Sequence, residues 1–203
     1  MHDHAHDNEM SSQEARVRAL ETILVEKGLV EPAAIDAIIE TYAEKVGPQN
    51  GARVVARAWL DESFAQALRE DATEAIASLG FHGRQAEHMV ALWNGAGTHN
   101  LVVCTLCSCY PWAVLGLPPV WYKSPPYRAR AVSEPRAVLR DFGVALPEDT
   151  RIRVWDSTAE IRYLVIPERP AGTDGLDEDA LAALVTRESM IGTGLALPPG
   201  ESP

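Results

Sequence analysis

The chain has 203 residues and a mass of 22.1 kDa, enough for one domain with its own core plus an arm. Lys and Arg number 18 against 29 Asp and Glu, a formal net charge of -11, so there is no electrostatic footprint for a nucleic-acid backbone or an anionic membrane surface. No apolar run approaches the about 20 residues that cross a bilayer, and residues 1–10 hold no apolar signal core, so a cytoplasmic location is expected.

Residues 1–10 read as a disordered polar leader in which His2, His4 and His6 alternate with acids and Ala. A solvated terminus accounts for them, with a metal-scavenging tail or an expression remnant as the functional reading. Ser11 and Glu14 offer a capping box, and Val17, Leu20 and Leu24 follow at helical spacing up to Lys27-Gly28. A second helix opens at Pro32, with Ile35, Ile38, Ile39 and Tyr42 on its apolar face and Gly47-Pro48 as its end. Helical pattern resumes over 52–79, broken near Asp61, with Gly80 as the stop. The first two helices are short with broad polar faces, which reads as an arm, so residues 11–80 are expected to form a helical arm and helices that pack on a partner chain.

Composition changes after Gly80. An α/β domain is expected over 81–195 and a loose tail over 196–203. Gly95 and Gly97 punctuate a loop, and Leu101-Val102-Val103 reads as a short buried strand that delivers Cys104. Pro111, Pro118, Pro119, Pro125 and Pro126 then interrupt a stretch rich in Trp and Tyr, which predicts a rigid, irregular, well-packed segment. A helix is expected over 135–142, strands over 152–155 and 162–166, and a last helix over 177–185. The fold class is α+β: an N-terminal helical arm followed by a layered α/β domain. There are no internal repeats.

All three cysteines of the chain fall within Cys104-Thr105-Leu106-Cys107-Ser108-Cys109. So tight a cluster cannot staple distant segments as a disulfide framework does, which points to a metal or redox site. Cys104 and Cys107 have the spacing that puts two sulfurs on one ion. Cys107 and Cys109 also converge if the backbone curls, and that curl turns the amides of Ser108 and Cys109 to the same centre. Two sulfurs and two amide nitrogens then form a planar claw, with Cys104 capping one axial side. An amide nitrogen binds well only to a strongly polarising ion of square or octahedral preference, such as a trivalent first-row metal, Cu(II) or Ni(II). Zinc gains nothing from a planar claw, and as a tetrahedral ion it would need a fourth ligand such as His88 or His99. A zinc-binding interaction module, a thioredoxin-type pair at Cys104 and Cys107, and inert buried cysteines are the other readings.

The run Cys104 to Tyr110, followed by Pro111-Trp112, Val114-Leu115-Gly116-Leu117-Pro118-Pro119 and Trp121-Tyr122, resembles the cobalt-type nitrile hydratase alpha subunit. The likeness continues through Tyr127-Arg128-Ala129-Arg130, Val154-Trp155-Asp156-Ser157, 162–167, 169–175 and 186–192, and covers about residues 12–193. It implies one low-spin Co3+ per chain, with iron as the lesser alternative. The ligands would be the sulfurs of Cys104, Cys107 and Cys109 and the backbone amides of Ser108 and Cys109. Cys107 would be oxidised to sulfinic acid and Cys109 to sulfenic acid, with Cys104 left as thiolate. Thr105 and Tyr110 match the cobalt rather than the iron pattern of the loop.

The implied reaction is hydration of a small nitrile to its amide. Two nucleophiles fit it, a hydroxide at the sixth metal position and the Cys109 sulfenate oxygen. Gln85 matches a glutamine near the metal, Arg162 an arginine that supports the oxidised loop, and Trp112 a pocket residue. Gln85, Ser108 and Cys109 make up the implied catalytic set. The segment 92–99 and Ala113 depart from the usual family sequence. The implied partners are a beta subunit, in a pair that dimerises further, and an activator protein that inserts cobalt. The metal-bearing subunit of thiocyanate hydrolase is the neighbouring family reading.

Overall fold

The computed structural model describes residues 12–40, 46–81, 88–95, 97–107 and 109–201. The leader and the Ser11 cap lie outside them. The chain forms two compact units, Met1–Thr41 and Tyr42–Pro203. The first holds α1 (Ser12–Glu26) and α2 (Pro32–Glu40). The end of α1 is closed by Gly28, whose φ of +64° suits a residue without Cβ, and by the Leu29 N–H donating to Leu24. Val17, Leu20 and Ile23 of α1 are exposed.

The second unit opens with three consecutive helices, α3 (Gly47–Leu60), α4 (Glu62–Glu70) and α5 (Ala72–Ser78). Gly47-Pro48, expected to close a helix, instead opens one: Pro in the first turn gives up an N–H that has no partner there and brings the right φ. The break at Asp61 is as expected, and its carboxylate caps α4 by accepting from the N–H groups of Ser63 and Phe64. Asp71 makes a second break by capping α5 through the Glu74 N–H. These helices, grouped with the arm in the sequence reading, share one core with the strands. Ala52, Val54, Val55, Ala58, Leu68 and Ile76 pack with Leu101, Val103 and Leu164. At Gly51 a Cβ would lie 2.6 Å from Met190 Sδ and 3.0 Å from the Val114 carbonyl, so glycine sets how closely α3 packs.

Two parallel strand pairs hold the centre. β1 (His88–Trp93) pairs with β4 (Ile161–Ile166), and β2 (Thr98–Val103) pairs with β3 (Arg151–Asp156). β1 was not expected. Around the pairs lie α6 (Trp112–Leu115), a short 3-10 helix (Val120–Lys123), α7 (Pro125–Ser133), α8 (Pro135–Asp141), α9 (Glu178–Ala182) and α10 (Arg187–Ile191). The proline-rich segment is therefore more regular than expected, because Pro125 and Pro135 stand at helix starts, where proline costs nothing. Its packing is aromatic, as expected: Trp121 meets Tyr127 and Phe142 edge-on with centroids 4.9 and 4.7 Å apart. The architecture is α+β. Among the described residues no helix is long and apolar enough to cross a membrane.

Candidate metal centre

β2 and β3 run parallel and in register, with Val103 opposite Asp156, so both strands end on one rim. The chain leaves β2 at Cys104, which is buried, and curls so that Cys109 is half-buried and Cys107 exposed. The Cys104 and Cys107 Sγ atoms are 3.2 Å apart and those of Cys107 and Cys109 3.0 Å apart. All three Sγ atoms lie within 4.8 Å of one another.

That spacing bears on the type of ion. With each sulfur about 2.3 Å from a metal, neighbouring sulfurs stand about 3.3 Å apart at right angles and about 3.8 Å apart in a tetrahedron. The Cys104–Cys107 and Cys107–Cys109 separations lie nearer the right-angle value than the tetrahedral one, which favours an ion of square or octahedral preference. The donor set, three soft sulfurs at the end of a buried strand, fits a transition metal. Burial pushes the Cys109 thiol up to about 12, helped by the Cys107 hydrogen bond and the Cys104 charge, while the nearby Arg162 charge pulls the other way. Sulfurs that hinder one another's ionisation in this way are what a shared cation relieves.

The other candidate positions divide. The Thr105 N–H and hydroxyl both donate to the Asp156 carboxylate, at 2.9 and 2.5 Å, and so tie the first turn of the loop to the end of β3. Tyr110 is 1% exposed and packs edge-on against Tyr122 at 5.1 Å, and burial raises its hydroxyl far above the ordinary value. Arg162, on β4, is 7% exposed and donates to the Thr158 carbonyl. Trp112 opens α6 half-buried against the core. Gln85 and Ser108 lie outside the described residues.

His88 and His99 do not join the sulfurs. The metal-ligand cluster found among the described residues holds Cys104, Cys107 and Cys109 alone. His88 stands at the start of β1 beside the Thr73 hydroxyl, and His99 is buried, its Nε2 donating to the Gly192 carbonyl at 2.7 Å. A tetrahedral zinc site thus lacks its fourth side chain among them.

Three residues that hold the loop were missed in the sequence. Besides Asp156, the Tyr122 hydroxyl donates to the Cys109 carbonyl at 3.0 Å and Arg128 Nη1 to the Cys107 carbonyl at 3.0 Å. The motifs quoted for the resemblance contained all three but gave no sign of what they touch: parallel pairing, for one, brings Asp156 to Thr105 across 51 residues.

Comparison with known proteins gives one picture. The family model "Nitrile hydratase, alpha chain" matches residues 11–194. The chain is 56% identical over 197 residues to the high-molecular weight cobalt-containing nitrile hydratase subunit alpha of Rhodococcus rhodochrous, covering 97% of each. It is 40% identical over 201 residues to the thiocyanate hydrolase subunit gamma of Thiobacillus thioparus, covering 94% of this chain and 82% of that one. Among solved structures, a double mutant of the Fe-type nitrile hydratase from Comamonas testosteroni Ni1 superposes with a TM-score of 0.84 at 41% identity, covering 92% of this chain and 91% of that one.

Proposed function

The chain belongs to the nitrile hydratase alpha-chain family, and from that premise we propose that it is the metal-bearing subunit of an enzyme that adds water to nitriles to give amides. The observation that carries this is the convergence of three cysteine sulfurs, all within 4.8 Å of one another, on the rim of β2. Cys104, Cys107 and Cys109 would hold the metal through sulfur, and Ser108 and Cys109 through their backbone amides. The ion is Co3+, one per chain, a choice supported by Thr105, Tyr110 and the cobalt-containing relative. Bound there, it would supply the Lewis acidity that polarises the C≡N bond for attack at carbon.

The chain's own residues set the stage for that chemistry. Asp156 holds Thr105 and fixes where the loop leaves the strand. Arg162 places a positive charge near Cys109, which favours the anionic sulfur. Cys107 is oxidised to sulfinic acid and Cys109 to sulfenic acid, and Cys104, inside the core, stays a thiolate. Trp112 and Tyr110 wall the site, while Gln85 and the Ser108 hydroxyl orient water or substrate there.

A second chain completes the enzyme. Leu106, between the ligands, is 92% exposed, and the oxidised sulfurs beside it carry negative charge. A beta subunit that covers Leu106 and meets those oxygens with arginine satisfies both needs. An activator protein delivers cobalt.

The test is to purify the chain with its partner after growth with cobalt and to measure amide from a simple nitrile. Thiocyanate is assayed in parallel, because of the gamma-subunit relative. Amide formation with little thiocyanate turnover is expected. Thiocyanate turnover in its place would move the chain to the neighbouring activity. Mass spectrometry of the peptide from Leu101 to Trp112 should find two oxygens on Cys107 and one on Cys109, and active enzyme with three free thiols would refute the oxidation assignment.

A further inference from the structure

The peptide unit between Cys107 and Ser108 ends in the nitrogen expected to bind the metal. Its oxygen, the Cys107 carbonyl, accepts a hydrogen bond at 3.0 Å from Arg128 Nη1, a half-buried side chain in the second turn of α7. The same segment reaches the loop and its feeding strand at two more carbonyls. Tyr122 OH donates to Cys109 at 3.0 Å and Tyr127 OH to Val102 at 2.6 Å. Of these three donors only Arg128 is charged, and only Arg128 bonds the peptide whose nitrogen belongs to Ser108.

We propose that Arg128 is a positioning residue of the metal loop, holding the Cys107 carbonyl in place and balancing the charge that oxygen gains when the nitrogen of the same peptide binds the metal. This rests on the metal-claw reading above. A planar peptide is rigid, so holding its oxygen fixes the direction of its nitrogen. A nitrogen that binds as an anion shares its negative charge with the carbonyl oxygen through the same resonance. The hydrogen bond from the guanidinium, charge-assisted on the donor side already, then gains a charged acceptor and is stronger in the loaded loop than in the empty one. Arg128 thereby favours the loaded state without touching metal or substrate.

The test uses the two-chain holoenzyme with three variants: Arg128→Met, which keeps bulk and loses charge and donor; Arg128→Gln, which keeps a donor and loses charge; and Arg128→Lys, which keeps both. Arg130→Met is the control, since Arg130 sits on the same helix and pairs with Glu134 and Asp141 at the surface. The readouts are the rate of cobalt loss to a chelator and the sulfur-to-metal charge-transfer absorption. Arg128→Met should lose cobalt at least about tenfold faster, the size expected for one hydrogen bond to a charged group, and its band should shift. Arg128→Lys should restore most of both, and Arg130→Met should change neither. If Arg128→Met does not yield soluble protein, Arg128→Gln against Arg128→Lys gives the same contrast. Wild-type rates and an unshifted band in the charge-free variants overturn the inference while leaving the metal site intact. A wild-type enzyme with no cobalt band overturns the claw reading itself.

Discussion

Replacing Gly192 by Ala strikes the fold where it backs the metal loop. Gly192 ends α10 with φ +89°. A Cβ there would lie 1.9 Å from the Asn100 carbonyl oxygen, 2.9 Å from its carbon and 3.0 Å from Leu101 Cα. Those atoms are β2 backbone, so no side-chain rotation relieves the overlap. The left-handed backbone alone costs an L-residue about 1–2 kcal/mol. Parting α10 from β2 also breaks the His99 bond to Gly192 and loosens the core around Leu101, which brings the loss to about 4 kcal/mol. In a unit of this size each kcal/mol moves Tm by about 2–4 °C, so the melt should fall by about 8–16 °C. Because β2 runs directly into Cys104, cobalt content should fall as well. Calorimetry of wild-type and variant enzyme reads the first effect and elemental analysis the second. A Tm within about 2 °C of wild type would refute the close approach of α10 to β2.

Asp156→Ala removes both anchors of Thr105. It should speed cobalt loss to a chelator while moving Tm by less than about 4 °C, because the carboxylate is exposed and screened. His99 gives a pH signature: burial lowers its pKa below 6.5, and Asn94 Nδ2 beside its Nδ1 leaves no acceptor for a second proton. The unfolded chain therefore takes up that proton first, so the contribution is intact above pH 6.5 and is lost as pH falls below it toward the depressed folded value. His99→Gln should flatten that part of a Tm–pH curve, and an unchanged slope would contradict the assignment. Ser108→Ala keeps the backbone amide and loses only hydroxyl bonds of about 0.5–1.5 kcal/mol each, so kcat on a simple nitrile should drop by no more than about tenfold. Complete inactivity with normal cobalt content would give the hydroxyl a chemical role.

The metal loop was legible because its chemistry is local: three cysteines within six residues have few ways to be arranged, and the fold brings their sulfurs together. The supports of the loop were not legible, because each is a contact between distant segments. Asp156 reaches Thr105 only through the β2–β3 register, and Arg128 reaches Cys107 only through the seating of α7. Elements failed where one pattern serves two structures. His88-Met89-Val90-Ala91-Leu92-Trp93 has no alternation to mark a strand, as is common for strands buried in parallel pairs. Gly47-Pro48 carries residues that can end one helix or start the next, and here they start α3. α10 is only five residues long, too short for periodicity, though its Thr186–Ser189 capping box was present to be read.

The most direct test of the metal centre is cobalt content measured beside nitrile turnover in wild-type enzyme and in Cys109→Ser. A serine oxygen is a harder, weaker ligand than a thiolate and cannot be oxidised to the sulfenate level. Wild type should carry close to one cobalt per chain and form amide, and Cys109→Ser should lose turnover together with most of its cobalt. A Cys109→Ser enzyme that keeps its cobalt and hydrates nitrile at the wild-type rate would contradict the account.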